Sequence, residues 1–171
     1  MNFKTDMNHL TFKPLTAHKS GIIFNLLKES YSGLAKIKPE YILKWEKEWI
    51  EYDNEIFQHP NTVGACGFIS YSDTEIIGFA SYDPRKYPIG IIGHNCILPQ
   101  FRGNGYGKQQ INEILKRFRK MNFKKAIVST NEHEFFYPAQ RMYIACGFRE
   151  KRRFFEGDIR DSMMIEYERT L

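Results

Sequence analysis

Cysteine is scarce in this chain. Cys66, Cys96 and Cys146 are the three in 171 residues, and they lie far apart. They make neither a zinc-ligand spacing nor a disulfide framework, so a reducing cytoplasm is the expected compartment. Long apolar runs are missing as well. None reaches the ~18 residues that read as a membrane span. The opening Met1-Asn2-Phe3-Lys4-Thr5-Asp6 lacks the apolar region of a signal peptide. No internal repeat, linker or low-complexity segment interrupts the chain, so a single domain over residues 1–171 is the expectation. Catalytic motifs are absent too: there is no His-Glu-x-x-His zinc pair and no Gly-x-Ser-x-Gly elbow. Neither an RNP-like aromatic motif nor a recognition helix with clustered arginines is present, so nucleic acid is not an expected partner.

What is present is a globular composition, 42% hydrophobic and 15% aromatic. The formal net charge of +5 suits an anionic ligand, and suits a merely basic solvated surface equally well. Hydrophobic periodicity sets the expected elements. A short strand is expected at Leu10–Leu15, then a helix over Ala17–Leu34 and a second from Lys38-Pro39-Glu40 to the stop at Pro60. A hairpin follows, Val63–Tyr71 with Glu75–Tyr82, and then a strand over Ile89–Leu98. Gly90 and Gly93 inside that strand suggest a bulge or a close approach by a ligand. A helix over Gly105–Met121, a strand over Lys124–Thr130 and a short helix over Tyr137–Cys146 come next. Arg149–Glu156 and Ser162–Glu168 read as final strands joined by a Gly157-Asp158 turn. A strand–helix–strand unit within this mostly antiparallel series implies a mixed sheet with helices on its faces.

The stretch from Asn95 to Gln110 carries the chemistry. An apolar strand ends at Pro99, which has no N–H for the ladder. Gly103, Gly105 and Gly107 then alternate with Asn104 and Tyr106, and a helical pattern begins. Main-chain N–H groups at a helix start have no intrahelical partner and can converge on one anion, aided by the helix dipole. The spacing is not that of a Walker A loop, because Lys108 is followed by Gln109 and not by Ser or Thr.

Arg102-Gly103-Asn104-Gly105-Tyr106-Gly107, with Pro99 and Phe101 ahead of it, resembles the acyl-CoA loop of the GNAT superfamily of N-acetyltransferases. Ala139-Gln140-Arg141-Met142-Tyr143-Ile144-Ala145-Cys146-Gly147-Phe148 resembles that superfamily's second signature, Ala-x-x-Leu-Tyr-x-x-x-Gly-Phe. The resemblance implies an α/β (α+β) fold, with a mostly antiparallel sheet of six to seven strands flanked by four helices. It implies acetyl-CoA as co-substrate, no metal, and transfer of acetyl to a primary amine by direct attack on the thioester. A CoA-binding sensor or interaction module of the same fold, without turnover, is the second reading.

The resemblance also assigns residues. Arg102, Gly103, Asn104, Gly105, Tyr106, Gly107 and Lys108 would meet the phosphates. The backbone of Cys96, Ile97 and Leu98 would line the pantetheine arm. Tyr143 would be the general acid for the departing thiolate, or else a core tyrosine. The base is open between His94 and Glu132, with a water chain as a further carrier. Phe136 stands where the superfamily often has an Asn that bonds pantetheine, and Asn131 is a candidate substitute. Tyr41, Trp45, Trp49 and Tyr52 have a helical spacing that reads mostly as core, and the resemblance places them, with Tyr31, where an acceptor wall would be. Dimers are common in the superfamily, which leaves a homodimer open.

Overall fold

Seven extended segments pair into one sheet in the computed structural model, which describes residues 9–156 and 163–171. They are β1 (Thr11–Pro14), β2 (Gly67–Ser72), β3 (Glu75–Asp83), β4 (Ile89–Ile97), β5 (Lys125–Asn131), β6 (Arg149–Phe155) and β7 (Met163–Thr170). Their order across the sheet is β1-β2-β3-β4-β5-β7-β6. Only the β4–β5 pair is parallel. That parallel pair needs a crossover, and a helix supplies it: α4 (Tyr106–Lys120). The other helices are α1 (Ile22–Ser30), α2 (Ser32–Ala35), α3 (Pro39–Gln58) and α5 (Tyr137–Ala145).

Alternation along the strands divides the core in two. Ile69, Phe79, Cys96 and Leu98 pack with Ile23, Leu27, Tyr41, Trp49 and Ile56 of α1 and α3. Phe68, Ala80, Ile92 and Val128 pack with Ile111, Ile114, Phe118 and Tyr143 of α4 and α5. Gly90 is needed for this second cluster, since a Cβ there would come within 2.5 Å of the Phe118 ring. The close approach expected at Gly90 is thus to a helix side chain.

Two expectations needed correction. The helix expected over Ala17–Leu34 is two helices, which raises the helix count from four to five. α1 starts only at Ile22, after Gly21 in a left-handed conformation (φ 95°). The buried Asp53 of α3 sets that start: its Oδ1 accepts from the N–H of Ile23 (2.9 Å), and its Oδ2 from Gly21 N–H and Ser20 Oγ. A carboxylate at a helix N-terminus satisfies orphan donors and meets the positive end of the dipole. The helix then breaks at Tyr31 (φ −97°, ψ 8°) before α2 resumes.

The strand expected from Val63 begins at Gly67. Val63–Ala65 instead forms a 3-10 turn folded against the end of α3. Gly64 N–H bonds the His59 carbonyl, and a Cβ on Gly64 would lie 2.6 Å from the Ile56 carbonyl oxygen. The last strand runs over Met163–Thr170, and the expected Gly157-Asp158 turn and Ser162 lie outside the described residues. No helix among the described residues is long and apolar enough to cross a membrane.

Candidate active site

β4 and β5 start together and then separate. Their pairing runs from Ile89 with Lys125 to Ile91 with Ile127 and ends there, although β4 continues to Ile97 and β5 to Asn131. The cause lies in β4. It pairs with β3 as Asn95 to Ala80 and Ile92 to Tyr82, so one extra residue is accommodated at Gly93-His94. Such a bulge bends the strand and leaves main-chain groups unpaired. Ser81 Oγ donates to the His94 carbonyl (3.0 Å) and steadies the distortion.

Two cavities open on this separation. One, of about 470 Å³, is bounded by the β4 end, the glycine loop and α5. The other, of about 560 Å³, is bounded by α3, the β4 bulge and β5. Tyr31, Asn95, Phe136 and Ala139 line both.

The glycine loop forms the rim of the first cavity. A 3-10 turn at Pro99–Phe101 ends the strand, and Gly103 (φ 84°) and Gly105 (φ 76°) take left-handed conformations that let α4 begin at Tyr106. A Cβ on either glycine would meet no protein atom within 4 Å. Their shared lack of neighbours leaves room at the helix start. Gly107 has a different reason, because a Cβ there would come within 2.5 Å of Met142 Sδ where α4 crosses α5. Lys108 lines the cavity beside it.

Other residues expected to touch a cofactor also brace the loop and its surroundings. Arg102 Nε donates to the Ile97 carbonyl (2.9 Å) and Nη2 to the Ser30 carbonyl (2.7 Å), tying the loop to β4 and α1. Asn104 Nδ2 donates to the carbonyls of Phe101 and Arg102. Leu98 is buried, and its N–H is committed to the Ile77 carbonyl (2.8 Å). Tyr106 lines the cavity, with its hydroxyl 3.2 Å from Ser72 Oγ. Gln110, buried on α4, bonds Ser70 Oγ (2.8 Å) and the Cys96 carbonyl (3.3 Å), locking the helix to β2 and β4.

At the junction of the cavities sits Tyr143. It comes from α5, in the other core cluster, and its hydroxyl reaches Asn95 through the gap. Asn95 Nδ2 donates to the hydroxyl (3.0 Å) and to the Gly93 carbonyl (3.2 Å). Burial pushes the phenol up to about 12, with the Asn95 bond opposing. It therefore stays protonated at neutral pH and can donate. Its partner is a side chain, not backbone. Asn95 is the residue that sequence reasoning missed, and no motif marks it.

The two base candidates part company. His94 lines the second cavity, open at its mouth, and packs on the Tyr52 ring (5.0 Å between centroids). Protein around the imidazole lowers its pKa, which favours the neutral, proton-accepting form. Glu132 lines neither cavity, and its Oε2 is 3.1 Å from Arg153 Nη1 on β6. That ion pair holds the carboxylate against β6. Cys96 Sγ is buried 3.9 Å from the Leu26 carbonyl, and burial pushes the thiol up to about 11, which keeps it a poor nucleophile.

Phe136 packs between Tyr31 (6.0 Å) and Trp45 (6.4 Å), an apolar divider where an amide was the usual expectation. Asn131 is buried; its Oδ1 accepts from the His133 N–H (2.8 Å), and it borders only the second cavity. Among the described residues, no cluster of three or more His, Cys, Asp or Glu could hold a metal ion.

Known proteins share this architecture. The family model described as the acetyltransferase (GNAT) family matches residues 23–148. A GNAT-family protein of Desulfovibrio desulfuricans superposes with a TM-score of 0.74 at 14% identity, covering 94% of this chain and 98% of its own. The PaiA N-acetyltransferase of Thermoplasma acidophilum, solved in complex with coenzyme A, gives 0.69 at 13% identity, over 92% and 97%. A GNAT-family acetyltransferase of Elizabethkingia anophelis with acetyl-CoA bound gives 0.60 at 19% identity, over 96% and 99%. At these identities the likeness is one of fold. No curated protein matches the chain in sequence.

Proposed function

The chain belongs to the GNAT acetyltransferase family, and from that premise we propose that it moves an acetyl group from acetyl-CoA to a primary amine by direct attack on the thioester. One observation carries the reading: two cavities meet at Asn95, where a buried, protonated tyrosine hydroxyl is held in the gap between two parting strands.

On this reading the N–H groups around Gly103 to Lys108 hold the pyrophosphate, with Lys108 adding charge. The β4 edge beyond Ile91, left unpaired by β5, takes the amide groups of the pantetheine arm in the manner of an added strand. Arg102 and Asn104 act by shaping the loop. The amine enters from the second cavity. His94, its pKa lowered by the protein around it, accepts the ammonium proton directly or through water. The amine nitrogen bonds to the acyl carbon and the carbon–sulfur bond breaks. Tyr143 gives its proton to the leaving thiolate, with Asn95 keeping the hydroxyl in place, and the second proton shed by the acylated nitrogen returns to the phenolate through water. Thiol release from acetyl-CoA across a panel of amines tests the proposal. Saturable CoA binding with no release from any amine would support the sensor reading instead.

A further inference from the structure

The second cavity has a wall unlike the rest of the molecule. Trp45 and Trp49 of α3 lie 6.3 Å apart, and Tyr31 stacks on Trp49 at 5.2 Å. Tyr41 (5.6 Å) and Phe136 (6.4 Å) flank Trp45. Trp49 and Tyr41 are buried, which fixes the framework, while Trp45 is only partly buried and borders the open space. The break between α1 and α2 at Tyr31 places that ring in both cavities.

Charge on this lining is sparse. Glu48 and Glu156 supply two carboxylates and Lys44 one ammonium, leaving a single negative charge for an acceptor. That balance suits one ammonium group and opposes a polycation, which Lys44 would repel. A flat apolar body laid against Trp45 gains aromatic contact as well as burial. Phe136 extends the apolar surface to the junction, where a superfamily amide would have offered hydrogen bonds.

We propose that the acceptor is an arylalkylamine, a single primary amine carried on an aromatic ring, with Trp45 as the main contact for the ring. This rests on the acetyltransferase reading above and narrows its acceptor. Trp45 and Trp49 are the only tryptophans in the chain, so intrinsic tryptophan emission reports on this wall directly.

The test uses 2-phenylethylamine, spermidine and a glycine-initiated tripeptide against the full-length protein. 2-Phenylethylamine is expected to change tryptophan emission saturably, and its kcat/KM in acetyl-CoA thiol release should exceed that of the other two by about tenfold or more. Trp45→Ala should raise the KM for 2-phenylethylamine about tenfold while CoA affinity stays unchanged, and Trp45→Phe should restore most of the loss. Preferred turnover of spermidine or the tripeptide would overturn the arylalkylamine assignment and leave acetyl transfer intact. Tight CoA binding with no thiol release from any of the three and no emission change would contradict both.

Discussion

The two cavities are built from different materials. The first has a main-chain rim, made of a strand edge, a glycine loop and the start of α4 within residues 95–110, and is closed on its other side by α5 with Tyr31, Phe135 and Phe136. The second is bounded mainly by side chains from α3, the β4 bulge, β5, α5 and the segment after β6, drawn from residues 31 to 164. Recognition by main chain demands particular backbone conformations, and those demand glycine at Gly103 and Gly105. Recognition by side chains demands only that the right groups meet in space, which many sequences can achieve.

Gly105→Glu should give the largest effect. It forces a β-carbon onto φ 76° and sets a carboxylate where the pyrophosphate is proposed to bind, so CoA affinity should fall by about a thousandfold in a calorimetric titration. Next comes Asp53→Ala. Loss of the carboxylate leaves the α1 N–H groups of Ile23 and Phe24 without their acceptor and should cost roughly 3 kcal/mol in denaturant unfolding. Because α1 and α3 carry the aromatic wall, the same variant should raise amine KM more than CoA Kd; an equal change in both would blur the division between the two cavities. Tyr143→Phe should lower kcat by about a hundredfold with CoA affinity unchanged. Unchanged turnover would remove Tyr143 from the mechanism.

The smallest effect concerns pH. Desolvation by nearby protein lowers the pKa of the surface-accessible His94 below the ordinary histidine value of about 6.5. The neutral base is therefore present above that lowered pKa, and kcat/KM should decline only on the acid side, as protonation removes it. His94→Gln should lose that acid limb. A limb that persists in the variant would assign it to another group.

How much of this could be read from residues alone follows the same division. Pro99, Gly103 and Gly105 announce a strand stop and a helix start because each is a local backbone requirement, and the α4 and α5 helices fall close to their expected bounds. The start of α1 was misplaced because Asp53, thirty residues away, decides it. Val63–Ala65 looked like strand by composition, yet contact with the end of α3 turned it. Asn95 carries no motif, since its value comes from a phenol supplied by α5 across the gap. Glu132 looked available in the sequence, and only the pairing of β6 with β7 brings Arg153 to it.

Amide chemical shifts on CoA titration would test the central idea most directly. The account predicts large, saturable shifts for Gly103, Gly105, Gly107 and Lys108, with main-chain amides of the β4 edge following. Saturable binding that leaves 103–108 unmoved would contradict it.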